Sequence, residues 1–171
     1  MSESKIAECG LPITSDETMG WSVYSRIPSS RERAAERKTS FTSATDTYAP
    51  RVVMGILPQL AGKLDGMAQN VPVPDGSNVD LVALVKRPVT PEQVNEAVKM
   101  ASKGPFAGVL EYTEQPIVSS DVIGNDHSAV FDALSTTVLG GNLVKTITWY
   151  DNGWGYARRV VELIERMQEV A

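Results

Sequence analysis

Apolar residues recur along this chain with two different periods, and from about residue 50 onward each stretch adopts one of them. The run Leu143–Tyr150 is rich in β-branched and aromatic residues, which suit a largely covered strand. It gives way at Asp151-Asn152-Gly153 to an amphipathic helix from about Trp154. That helix is expected to turn Val160, Val161, Ile164 and Met167 inward and to pair Glu162 with Arg166 four residues on. Asn78–Lys86 alternates cleanly, with Val79, Leu81, Ala83 and Val85 on a core face. Its other face, Asp80, Val82, Leu84 and Lys86, is half apolar and predicts a further covering body such as another subunit.

Pro91–Lys103 is the best-determined helix. Thr90 is its N-cap, Pro91 sits at the first helical position, and Gln93 completes a capping box. Val94, Ala97, Val98 and Ala101 form its apolar stripe, and Lys103-Gly104-Pro105 ends it. An earlier helix starts at Pro50, carries Val53, Ile56, Leu57 and Leu60 on one side, and breaks at Pro58. Further strands are expected at 66–73, 108–112, 117–122 and 129–136, with Asp75-Gly76 as a turn. Runs of strands without helices between them exclude a doubly wound parallel fold. The expected class is α+β: a mixed, mostly antiparallel sheet with helices packed on one face.

Residues 1–45 read differently and are set apart as a divergent, flexible arm, with the folded domain spanning 46–171. Apart from Trp21, Val23, Tyr24 and Ile27, apolar residues there are sparse. Arg26, Arg31, Arg33, Arg37 and Lys38 form a basic cluster, either a solvated face or an anion or partner site.

Charge and composition narrow the function. A net charge of −5 argues against nucleic-acid binding. No apolar run approaches the length of a membrane span, and the N-terminus shows no export signal. One cysteine makes no internal disulfide, so a cytoplasmic location is expected.

Four strings point to a family. WYDNGWGY, preceded by GGNLVK, EYTEQPIVSSD and GKLDGMA, resembles the C-terminal catalytic half of phosphorylating glyceraldehyde-3-phosphate dehydrogenases, from about Arg51 to Arg166. The resemblance implies the same α+β architecture and, for complete members, NAD-dependent oxidation of an aldehyde phosphate by a cysteine thiolate and a histidine base. The family's Cys motif, S-C-T-T-N, is absent, and no G-x-G-x-x-G marks a nucleotide-binding half. Cys9 lies in an unmatched tail with no neighbouring histidine to activate it. The catalytic histidine would fall in WSVYSRIPSS, which has none, and the lone His127 reads as structural or surface.

Two anion sites implied by the family are altered as well. Asn70 stands where the family has a phosphate-binding arginine, and its amide cannot replace a guanidinium. The phosphate loop corresponds at best to Thr42-Ser43-Ala44-Thr45. The resemblance leaves Asn152 and Tyr156 as cofactor-binding residues, the amide for nicotinamide and the ring beside it. Asn152 alternatively caps the last helix. No residue is assigned a catalytic or metal role, and NAD is implied by the family only.

The expectation is a truncated or pseudoenzyme relative, inactive alone. It would form a homo-oligomer, or a hetero-oligomer with a full-length paralogue, through the open sheet face. The alternatives are a subunit completing an active site in trans, and an assembly protein.

Overall fold

The computed structural model describes residues 19–26, 43–71 and 73–170. Seven strands form one sheet in the order β2-β3-β1-β4-β7-β6-β5. They are β1 Met19–Arg26, β2 Ser43–Asp46, β3 Leu64–Val71, β4 Ser77–Leu84, β5 Leu110–Thr113, β6 Ala129–Leu139 and β7 Leu143–Tyr150. β1 runs parallel to β3, and β5 parallel to β6, while the other four pairings are antiparallel. Among the described residues three α-helices accompany the sheet: α1 Ala49–Ile56, α2 Pro91–Lys103 and α3 Asn152–Val170. The architecture is the α+β one expected.

α1 carries buried Pro50 in its first turn and ends before Pro58, as the missing donor requires. Pro58–Leu60 continues as a 3-10 turn. Leu57, Leu60 and Leu64 form a core cluster against Leu81 and Ala83, whereas Ile56 points to solvent. α2 is held as its sequence requires. The Thr90 hydroxyl accepts from the Gln93 amide at 3.3 Å, and the Gln93 side chain accepts from the Thr90 amide at 3.0 Å. Its buried stripe packs Val94 on Val85 and Val144, and Val98 on Phe131 and Ala133. Asn95 Nδ2 adds a bond to the Ala133 carbonyl at 3.0 Å.

Leu81, Ala83, Val85, Val144 and Phe131 share one sheet face, so α1 and α2 cover the same side. The opposite face carries Asp80, Val82 and Leu84 beside Ile147, Lys145 and Leu143. Lys145 Nζ meets Asp80 Oδ2 there at 2.8 Å, and Met67, Leu84 and Leu143 are exposed.

Three expectations are corrected. Residues 117–122 do not form a strand. Asp121 Oδ2 accepts from the Val118 amide at 2.8 Å and the Asp121 amide donates to the Val118 carbonyl, folding Ser119–Val122 into a 3-10 turn. Only Val122 of that segment is buried. Second, the stretch read as an arm contains β1, which lies between β3 and β4, and most of β2, at the sheet edge. Third, α3 does not turn its apolar residues inward: Val160, Val161, Ile164 and Met167 are all exposed.

β6 is longer than expected and interrupted between Asp132 and Thr137. The buried Asp132 carboxylate accepts from the Leu134 and Ser135 amides and, at 2.6 Å, from the Ser135 hydroxyl. Local bonds thus replace the missing ladder bonds. Gly140 and Gly141, both with positive φ, turn β6 tightly into β7.

Candidate functional site

The C-terminal end of β7 and the start of α3 carry the residues singled out by sequence. Asp151, 2% exposed, organises the junction. Its Oδ1 accepts from the amides of Gly153 at 2.8 Å and Trp154 at 2.9 Å, and its carbonyl accepts from Gly155 at 3.1 Å. Those are the bonds of an N-cap. Its Oδ2 accepts from the Gly124 amide at 2.8 Å, so one carboxylate both starts α3 and ties it to the preceding loop. The capping role considered for Asn152 therefore belongs to Asp151. Asn152 is the exposed first residue of the helix. Tyr156, one turn on and 74% exposed, falls on the same side.

The loop beneath this junction holds the only histidine. His127 Nδ1 lies 3.0 Å from Asn125 Oδ1, 3.5 Å from Glu111 Oε2 and 3.6 Å from Asp126 Oδ1. Asn125 Nδ2 donates to the same Glu111 oxygen at 2.7 Å. The His127 carbonyl abuts Gly155, where an added Cβ would stand 3.2 Å away. Arg159, a turn further, donates to Ser128 Oγ at 3.1 Å and to Glu162 Oε1 at 2.6 Å. Glu162 also pairs with Arg158 at 3.2 Å, so its recorded ion pairs are with these two arginines and not with Arg166. The bond from Arg159 holds the Glu162 carboxyl below the usual carboxylate range.

The remaining sequence-predicted positions lie elsewhere. Asn70 is in β3, opposite Ser25 of β1 and Ser43 of β2. Ser43, Ala44 and Thr45 form edge strand β2 and not a loop, which leaves no phosphate-loop geometry in them. Thr42, Cys9 and the basic residues Arg31, Arg33, Arg37 and Lys38 lie outside the described residues; Arg26 is the last residue of β1. Tyr24, in the stretch where the family's histidine is expected, pairs with Asn78 of β4. Among the described residues no cluster of three or more His, Cys, Asp or Glu could hold a metal ion.

Sequence reasoning missed Asp151, Gly155 and Arg159. Asp151 had a usable signal, since aspartate caps as well as asparagine and lies beside it. Gly155 and Arg159 act through Ser128 and His127, which only the fold brings near.

The chain matches the family described as glyceraldehyde 3-phosphate dehydrogenase, C-terminal domain, over residues 18–152. The chain belongs to the glyceraldehyde-3-phosphate dehydrogenase family. The match starts ahead of β1, well before the motifs read from sequence, and takes in both N-terminal strands. A glyceraldehyde-3-phosphate dehydrogenase 2 of Streptomyces avermitilis is 50% identical over 119 residues, covering 70% of this chain and 36% of the relative. The glyceraldehyde-3-phosphate dehydrogenase of Priestia megaterium is 47% identical over 139 residues, 81% of this chain and 42% of the relative. That of Geobacillus stearothermophilus is 46% identical over 137 residues, 80% and 41%. The chain thus spans about two-fifths of the length of the curated relatives it matches.

The NAD implied by this family does not fit the described residues as a complete site. Asn152 and Tyr156 stand on an exposed helix start and offer an amide and a ring. The recess among Val71, Val73, Gly76, Asn78, Ser119 and Trp149 is ≈ 230 Å³ and contains neither of them. That is below the range of ordinary small-molecule pockets. Among the described residues, no helix is long and apolar enough to cross a membrane.

Proposed function

We propose that this chain is a relative of the glycolytic, NAD-dependent glyceraldehyde-3-phosphate dehydrogenases that has no dehydrogenase activity of its own. It acts in the cytoplasm as a pseudoenzyme, assembling with copies of itself or with a full-length paralogue. The observation that carries this reading is the state of the β7–α3 junction. Its sole histidine is engaged with Asn125 and Glu111, and Asn152 and Tyr156 face solvent. The absence of the family's cysteine motif from the sequence supports the same reading.

The test is NADH formation by the purified chain with an aldehyde phosphate and NAD, with and without inorganic phosphate. No turnover is expected. Robust turnover that Cys9→Ser abolishes would overturn the proposal.

A second reading is favoured by the exposure of Asn152 and Tyr156. In it they contact a dinucleotide held by another chain, and the protein completes an oxidising site in trans. Restored activity on mixing with a complete paralogue whose own junction asparagine is substituted would support this reading, and Asn152→Ala should then remove the gain. The exposed apolar residues on the open sheet face support self-association or assembly. A monodisperse monomer by light scattering at micromolar concentration would contradict it.

A further inference from the structure

Asn152-Gly153 is the single Asn-Gly step in the chain, since every other asparagine precedes a residue that carries a side chain. It opens α3, and both of its residues are exposed. A glycine after asparagine leaves the intervening backbone nitrogen unscreened and free to turn, so it can reach the side-chain carbonyl carbon. Little crowds it here. Chain neighbours aside, a Cβ added at Gly153 would find only Asp151 Oδ1 in contact among the described residues, at 3.4 Å.

The same carboxylate holds that nitrogen back. The Gly153 amide donates to Asp151 Oδ1 at 2.8 Å, and the Trp154 amide joins it at 2.9 Å. While those bonds stand, Asn152 keeps its helical backbone and a five-membered ring cannot close. The charge on Asp151, itself 2% exposed, also opposes formation of the amide anion that must attack.

We propose that Asn152 is a deamidation site that the Asp151 cap keeps closed and that opening of the first turn of α3 releases. In the open turn the Gly153 nitrogen gives up its proton and bonds to Asn152 Cγ. The bond from Cγ to the side-chain nitrogen breaks, and ammonia leaves carrying the displaced proton. Water then opens the cyclic imide at either carbonyl, placing hydroxyl on that carbon and hydrogen on the nitrogen. The products are aspartate and isoaspartate, and no oxidant or reductant is involved. Each replaces a neutral amide by a carboxylate, and isoaspartate adds one methylene to the backbone within the first turn. Either product removes the amide used in the second functional reading, although the site does not depend on that reading.

The test incubates the purified 171-residue chain at mildly alkaline pH, folded and in concentrated urea. Proteolysis and mass spectrometry then follow the products at position 152. In urea, Asn152 should react first among the asparagines, and in the folded chain at least ~10-fold more slowly. Asp151→Ala, with its fold checked by circular dichroism, should react at Asn152 at least ~5-fold faster than the folded wild type. Asp151→Asn keeps one cap acceptor and should fall between them, which decides the matter if the alanine variant does not fold. Gly153→Ala should slow the reaction in urea at least ~10-fold. Capping variants no faster than wild type, or a folded chain as fast as the unfolded one, would overturn the guarding role. Another asparagine reacting before Asn152 in urea, or an unslowed Gly153→Ala, would overturn the site.

Discussion

Replacing Asp151 by alanine removes three distinct contributions at one atom pair. The cap bonds from Gly153 and Trp154 are lost, which costs about 1 kcal/mol in comparable helices. An anion at the positive end of α3 is lost, worth about 0.3–1 kcal/mol. The bond from Gly124 is lost too, at about 1 kcal/mol, since Gly124 is exposed and water can replace its acceptor. The expected total is about 2–3 kcal/mol, a large share of a domain's stability. Asp151→Asn keeps one acceptor for the cap but loses the charge and turns an amide donor toward Gly124. It should therefore cost about half as much. Urea denaturation followed by far-ultraviolet circular dichroism measures both, and helix content at zero urea reports fraying of α3. Alanine and asparagine variants within about 0.5 kcal/mol of each other, or an alanine variant losing less than ~1 kcal/mol, would refute this account of the junction.

Gly76 holds φ at +84°, and an added Cβ would run into the Ser119 carbonyl. Gly76→Ala is expected to cost about 2–5 kcal/mol from backbone strain and overpacking together, read as a lowered urea midpoint. The Lys99–Glu114 pair, at 2.7 Å, sets a pH dependence of known sign. The bond from Lys99 holds the Glu114 carboxyl below its ordinary value of 4.5, so its contribution is present above that pH and fades as pH falls through the lowered value. The Lys99 ammonium is raised above 10.5 by the same partner, so its contribution is present below that pH and fades as pH rises through the raised value. Glu114→Gln should flatten both ends of the stability–pH curve, and an unchanged curve would remove the pair from the account.

What was legible in the sequence was local. Thr90, Pro91 and Gln93 specify the start of α2 within four residues, and the fold only had to receive it. The alternation of β4 likewise told which residues meet α1, because Leu81 and Ala83 share one face by strand geometry alone. β1 was missed because nothing within Met19–Arg26 names its partners, which lie 45 and more positions along the chain. α3 shows the same limit from the other side. Its periodicity declared an apolar face correctly, but no local rule says which body that face meets. At the candidate site, the motif singled out Asn152 and Tyr156, which lie a turn apart on α3, while the residue that builds the junction is the neighbouring aspartate.

The place of the first strand sets an order of events for the whole molecule. β3 and β4 are consecutive in the chain yet never touch as neighbours, because Met19–Arg26 separates them. A hairpin between them, the quickest pairing available to a nascent polypeptide, would be a trap to be undone. Synthesis delivers the wedge first, so it must wait for both flanks and then zip into them. Without it, β2 and β3 would part from the other four strands, leaving two small ribbons with raw edges.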